Sequence, residues 1–182
     1  MDSASTVIEY AMPQTLTAGE YSALITNVTN ISNTEDPKWR VISIREGQAP
    51  MNDNRYRMTV DKRGNGAVAW RFLTGDARSG KYIETVGSER VRYRFQGNLT
   101  YMVSATWNGG VFTVQYREGG AGGPLVYDFG KGYGGVYAPS PMMVYAGSPW
   151  VPGERGEPST LKDMIVRQIW VSPNPRPAFA NK

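Results

Sequence analysis

The sequence predicts an all-β fold, an antiparallel sandwich or barrel built as one domain. Strand-sized segments recur along the 182 residues, each closed by Gly, Pro, Asn or Asp. Aromatic and β-branched residues are plentiful among 21 glycines and 12 prolines, a composition that suits many short strands joined by tight turns. Helical periodicity is nearly absent, so no helices are expected between successive strands. The length suits one domain and is enough to bury a real core.

Taken in order, Val7 to Met12 alternates weakly and ends at Pro13, Tyr21 to Val28 follows Gly19, and Trp39 to Arg45 follows Asp36-Pro37. Tyr56 to Val60 and Val68 to Phe72 read as a hairpin whose even-numbered residues Tyr56, Met58, Val60, Val68, Trp70 and Phe72 are apolar. Directly opposed residues of an antiparallel pair share a face, so the loop must have an odd number of residues, and Gly64-Asn65-Gly66 supplies it. Val60 is then expected opposite Trp70 and Met58 opposite Phe72, with Arg57, Thr59 and Arg71 on the other face. A slip of one residue would bury arginine, at a cost of several kcal/mol.

Val91 to Phe95, Leu99 to Trp107 and Val111 to Arg117 are the next expected strands. Asn108-Gly109-Gly110 turns the last two into a second hairpin. Tyr101, Val103, Ala105 and Trp107 share one face of it with Phe112, Val114 and Tyr116 across the turn, which leaves Thr113, Gln115 and Arg117 opposite. Leu125 to Phe129, Met142 to Ala146 and Ile165 to Val171 complete the set, and Leu161 to Val166 is a turn or a strand entry. The glycine-rich stretch around these strands holds Tyr127, Tyr133 and Tyr137. No repeat or linker divides the chain: residues 1–182 form one domain, with a core from about 6 to 171 and a proline-rich surface tail over 172–182.

Composition excludes several chemistries. The chain has no cysteine and no histidine, so disulfides, thiolate or imidazole metal ligands, His general bases and His-dependent triads are all ruled out. A net charge of +4 permits anionic partners without demanding them. No basic run, recognition helix or RNA-binding sheet signature points to nucleic acid. No apolar run reaches membrane-spanning length, and no N-terminal stretch reads as a secretory signal, so an exported form would have carried one ahead of this sequence.

The stretches "YMVSATWNGGVFTVQYREG", "VYAPSPMMVYAGSP" and "LKDMIVRQIWVSPNPRP" resemble the C-terminal half of concanavalin A-like lectin/glucanase domains, in particular the laminin G-like group. In that group a tryptophan-bearing hairpin is followed by a strand ending in Gly, here Met142 to Gly147. A last strand, here Ile165 to Val171, then returns beside the first. The resemblance implies a jelly-roll of two curved antiparallel sheets with ligands on the concave sheet or at the loop rim. It also implies carbohydrate as the usual ligand, although some members are enzymes and others bind proteins. Calcium is common in the group. A structural Ca2+ here would draw on Glu9, Glu20 or Asp163 with backbone carbonyls, and no Asp-rich loop is visible.

Retaining glucanases of this fold carry E-x-D-x-x-E on one strand. This chain has only Glu35-Asp36 and the separated Glu84 and Glu89. Polysaccharide lyases of the fold use Arg, Gln or Asn to neutralise a uronate and His or Tyr as base. Arg57, Arg71, Gln115 and Tyr116 could fill those roles, but the R-x-E-x-R, Q-x-H and Y-F-K-A-G-x-Y patterns are not matched and "FGKGYGGVYAP" echoes the last only loosely. A tyrosine base also needs its pKa brought well down from about 10.

For binding, aromatic rings stack on sugar faces, and arginine holds carboxylate or sulfate with two parallel hydrogen bonds. The sequence therefore nominates Arg55, Arg57, Arg71, Gln115 and Arg117 on a sheet face, extended by Arg92 and Arg94, with Trp39, Tyr133 and Tyr137 at the rim. The competing reading makes these arginines a solvated face paired with Asp61 or Glu118, and Trp70 and Trp107 core residues. The resulting expectation is a non-catalytic, lectin-like carbohydrate-binding domain for acidic polysaccharide, extracellular or at the cell surface. The alternatives are a polysaccharide lyase or glycoside hydrolase on the same scaffold, or a protein-binding module. No catalytic residue is assigned, and metal ligands are left open.

Overall fold

The computed structural model describes residues 7–13, 16, 18–28, 38–46, 56–63, 68–75, 82–87, 95–108, 111–132, 142–148, 159–160 and 163–174; for 38–39, 45–46, 56–63, 68–75, 82–87, 129–132, 142 and 159–160 the backbone alone is described. These residues form two sheets and no helix. The larger sheet runs in the order β1 (Ile8–Ala11), β10 (Met142–Ala146), β3 (Lys38–Glu46), β4 (Tyr56–Arg63), β5 (Val68–Gly75), β6 (Tyr82–Gly87), with β11 (Ser159–Thr160) parallel beside β3. The smaller runs β12 (Ile165–Ser172), β2 (Gly19–Thr26), β7 (Tyr101–Asn108), β8 (Val111–Glu118), β9 (Leu125–Gly132), antiparallel throughout. The architecture is the expected all-β two-sheet sandwich.

Both hairpins take the expected register. Val60 lies opposite Trp70 and Met58 opposite Phe72. In the second, Trp107 lies opposite Phe112 and Val103 opposite Tyr116. The turn residues Gly64-Asn65-Gly66 and Gly109-Gly110 lie outside the described residues. β10 has the predicted ends, while β3, β4, β5 and β9 run further than expected.

Three expectations differ from the structure. Phe95 belongs to no strand: it is a buried ring, edge-on to Tyr101 at 4.7 Å, and Val91 to Arg94 lie outside the described residues. β6 and β11 were not anticipated, because "YIETVG" alternates weakly and two residues set no period. The last strand, β12, pairs with β2, and β1 instead pairs with β10 in the other sheet. The chain changes sheet between Pro13 and Gly19, so β2 is the first strand to enter the smaller sheet.

The core lies between the sheets and follows parity. Tyr21, Ala23 and Ile25 of β2, Tyr101, Val103, Ala105 and Trp107 of β7, and Phe112, Val114 and Tyr116 of β8 are all buried. Ile42, Ile44 and Val144 meet them from the larger sheet. Each such side chain contributes about 1.5–3 kcal/mol relative to exposure. Aromatic contacts thicken the centre: Tyr116 stacks on Tyr127 at 4.8 Å and packs against Phe95 at 5.4 Å. Trp107 is a core residue as expected, and its indole N–H donates to the Leu16 carbonyl at 3.0 Å. Gly19 makes room for that indole, because a Cβ there would stand 2.5 Å from Trp107 Cζ2. Arg40 is buried on β3 beside a bulge, opposite Asp61 in register.

Two predictions follow from this packing. Gly19→Ala should lower the unfolding free energy by about 1–3 kcal/mol, read as a shifted urea midpoint, since the ring has no free space to enter. The Tyr21 hydroxyl is buried with no hydrogen-bond partner among the described residues, and burial pushes its phenol pKa far above the usual value. An acid whose folded pKa is raised contributes stability that is intact below the unfolded pKa and is lost as pH climbs past it. Stability should therefore fall above about pH 10. Tyr21→Phe should be at least as stable at neutral pH and show a shallower alkaline decline by thermal melts.

Candidate functional site

The parity that fills the core forces the alternate residues of the smaller sheet onto its second face. One row crosses all five strands in register: Trp170 on β12, Ser22 on β2, Ser104 on β7, Gln115 on β8 and Asp128 on β9. With strands about 4.8 Å apart, the row is roughly 19 Å long. A parallel row holds Ser172, Glu20, Thr106, Thr113 and Gly130; on its other side lie Gln168, Leu24, Met102, Arg117 and Leu125.

Trp170 is 46% exposed although it is the bulkiest residue of β12. Its strand explains this: Ile169 and Val171 pack against the core, so the residues between and beside them must face away. A bulge between Val166 and Gln168 resets the alternation just before it.

The middle of the face is tied together by polar groups. Glu20 is only 1% exposed. Ser22, also buried, lies with its Oγ 2.5 Å from Glu20 Oε1 and 2.8 Å from Ser104 Oγ. Gln115 Nε2 donates to Asp128 Oδ1 at 3.1 Å, which holds an exposed carboxylate at the far end of the row. Arg117 Nη1 donates to the Gly123 carbonyl at 2.9 Å and clips the β8–β9 loop. That loop is tight: Gly119 has φ 77°, and a Cβ on Gly123 would fall 1.5 Å from the Glu118 carbonyl oxygen, so both positions require glycine. At the same end of the sheet, Asn27 and Asp163 both adopt left-handed conformations, and Asn27 Nδ2 donates to the Asp163 carbonyl at 2.8 Å.

The nominated residues divide between the two layers. Gln115 and Arg117 share the face just described. Arg57 and Arg71 belong to β4 and β5 of the larger sheet, where Arg57 lies opposite Leu73 and Arg71 opposite Thr59. Trp39 is in that sheet too, between Lys62 and Ser159. Arg55, Tyr133 and Tyr137 lie outside the described residues, as do Arg92 and Arg94. The structure thus does not bring the hairpin arginines and Arg117 into one row. Tyr116, cast as a lyase base, points into the core on the face opposite Gln115.

Among the suggested calcium ligands, Glu9 is in the larger sheet and Glu20 is the second residue of β2. Asp163 joins Asn27 beyond the other end of β2, roughly 24 Å along the strand from Glu20. Among the described residues, no group of three acids is placed to hold a metal. Sequence reasoning missed Trp170, and it named Glu20 only as a calcium ligand, not as a buried member of this face. Alternation within "QIWVS" carried the signal for the first, whereas nothing local distinguishes a buried Glu20 from a solvated one.

The backbone has clear counterparts among solved structures. It superimposes on the LG1-3 region of the laminin alpha2 chain with a TM-score of 0.56 at 10% identity, covering 94% of this chain and 31% of that one. The likeness is one of backbone fold: the two-sheet sandwich of this chain is similar to that of the laminin LG region. The enzymatically active domain of tailspike protein 2 from bacteriophage CBA120 matches with a TM-score of 0.50 at 11% identity, over 90% of this chain and 23% of that one. Trypanosoma rangeli sialidase matches with a TM-score of 0.50 at 16% identity, over 86% and 20%. The chain therefore spans a third or less of these laminin G-like, tailspike and sialidase structures. No family model and no curated protein matches the sequence.

Ser22→Ala should test the polar tie on the second face of the five-stranded sheet. Losing a buried hydroxyl that donates to a carboxylate should cost about 1–3 kcal/mol, measured by chemical denaturation, with the far-ultraviolet strand signal unchanged.

Proposed function

We propose that this protein is a non-catalytic, lectin-like carbohydrate-binding domain that uses the second face of the five-stranded sheet. The observation that carries the reading is Trp170: an exposed indole at the edge of a row of hydroxyl, amide and carboxylate groups. An indole supplies a flat apolar surface for the C–H face of a pyranose, and Ser104, Gln115 and Asp128, the polar members of the row that are not buried, supply hydrogen bonds to its hydroxyls. The row is long enough for an oligosaccharide. Glycans are abundant outside cells, and the proposed location is extracellular or at the cell surface. No helix among the described residues is long and apolar enough to cross a membrane.

The acidic-polysaccharide expectation drew on a single platform of guanidinium groups. With Arg57 and Arg71 in one sheet and Arg117 in the other, that support is divided. The lyase alternative loses its assembled roles for the same reason, and because Tyr116 is enclosed in the core.

A glycan array probed with the purified protein tests the reading. Trp170→Ala should reduce the signal at least tenfold, as expected for loss of a stacking contact worth about 1.4 kcal/mol or more. Its melting temperature should stay within about 2 °C of the parent, since the side chain is half exposed. An unchanged array pattern in Trp170→Ala would remove this face as the binding site.

A further inference from the structure

We propose that the β8–β9 loop is a side wall of the carbohydrate-binding face and makes that face selective for where a glycan is branched. This inference rests on the carbohydrate-binding reading and names a specificity element of the same site. It follows from the course of the loop. The Gly119 N–H donates to the Thr100 carbonyl at 2.8 Å, one step beyond the Tyr101–Glu118 pair, so the first loop residue still extends the β7–β8 ladder. Gly120 then turns onto the face. It is buried, and a Cβ on it would lie 3.7 Å from Leu24 Cδ1. Leu24 belongs to β2, which β7 separates from β8, and it shares the second face with Met102 and Arg117. The loop therefore reaches Leu24 by folding across β7, where Met102 is correspondingly buried.

The return limb is fastened on the same face. The Gly123 N–H donates to the Gly120 carbonyl at 3.0 Å, the Glu118 N–H to the Pro124 carbonyl at 3.1 Å, and Arg117 Nη1 to the Gly123 carbonyl at 2.9 Å. The crest of the loop, Ala121 and Gly122, is exposed. Leu24 is two residues along β2 from Ser22, roughly 7 Å, so the loop stands beside the row and not across its end. A chain of sugars laid along the row, with one ring stacked on Trp170, turns one edge toward the loop. A branch on that edge meets the loop backbone. A branch on the other edge is directed over Thr106 and Thr113, which are only half-buried. Steric exclusion of this kind discriminates between ligands without any added attraction.

The test uses positional isomers. The unbranched glycan with the strongest array signal is titrated calorimetrically beside derivatives that carry the same one-sugar branch at each free ring position. At least one isomer should bind within about threefold of the unbranched chain, and at least one other should bind about tenfold or more weakly. Replacing residues 119–123 by Asn-Gly, which closes a two-residue hairpin turn, should bring the disfavoured isomers within about threefold of the unbranched chain. A second measurement needs no variant: the unbranched glycan should slow amide hydrogen exchange over 119–123 in the parent protein. Equal affinity for all isomers, discrimination unchanged in a folded short-loop variant, or unaltered exchange over 119–123 would each overturn the wall. Binding that is lost in Trp170→Ala would leave the carbohydrate reading intact in those cases. An array without signal would overturn both.

Discussion

Strict alternation in the five-stranded sheet is the constraint on which the rest of the molecule depends. Ten side chains of β2, β7 and β8, from Tyr21 to Tyr116, must all point between the sheets. Because the period is two, the same register decides what faces the other way. Moving β8 by one residue would turn Gln115 and Arg117 inward and Val114 and Tyr116 outward. The polar row from Ser22 to Asp128 is therefore the complement of the core. Its identity is held by hydrophobic burial that the row takes no part in.

That arrangement explains why a polar cluster can persist on a sheet face. A buried carboxylate such as Glu20 is costly unless its oxygens are met by donors. Ser22 supplies one, and Ser104 steadies Ser22 from the next strand. Loops of the ordinary mobile kind would hold such groups less well. Here each is fixed by strand pairing on both sides, which limits the entropy lost when a ligand arrives. The Arg117 clip on the 119–124 loop extends this rigidity to the end of the sheet.

Much of the fold was legible because it was written in parity and turns. The even-numbered apolar residues specify the β4–β5 register, and the alternation on either side of Asn108-Gly109-Gly110 specifies that of β7–β8. Trp107 was readable as core from its place in an unbroken alternating run. What the sequence could not show was which hairpin belongs to which sheet. Local alternation says that Arg71 and Gln115 lie opposite apolar faces. It is silent on whether those faces belong to one layer, because that depends on contacts between residues far apart in the chain. Burial of Glu20 is hidden for the same reason. Phe95 misled in another way: an apolar, β-prone residue also suits a loop that plugs the end of the core, and propensity cannot separate the two.

The division of the arginines has a consequence for any ligand. Two packed sheets stand about 10 Å apart with the core between them, so groups on β4–β5 and groups on the second face of β8 cannot line one continuous platform. A polymer held by both would have to wrap an edge of the sandwich. The five-stranded sheet offers something simpler, a single surface with an indole at one end and an acceptor at the other. Laminin, tailspike and sialidase structures show the same backbone in different company, so the fold alone leaves the chemistry open. In this chain the choice falls to the side chains that alternation places outside the core. Trp170, Ser104, Gln115 and Asp128 are the members of that row that are not buried.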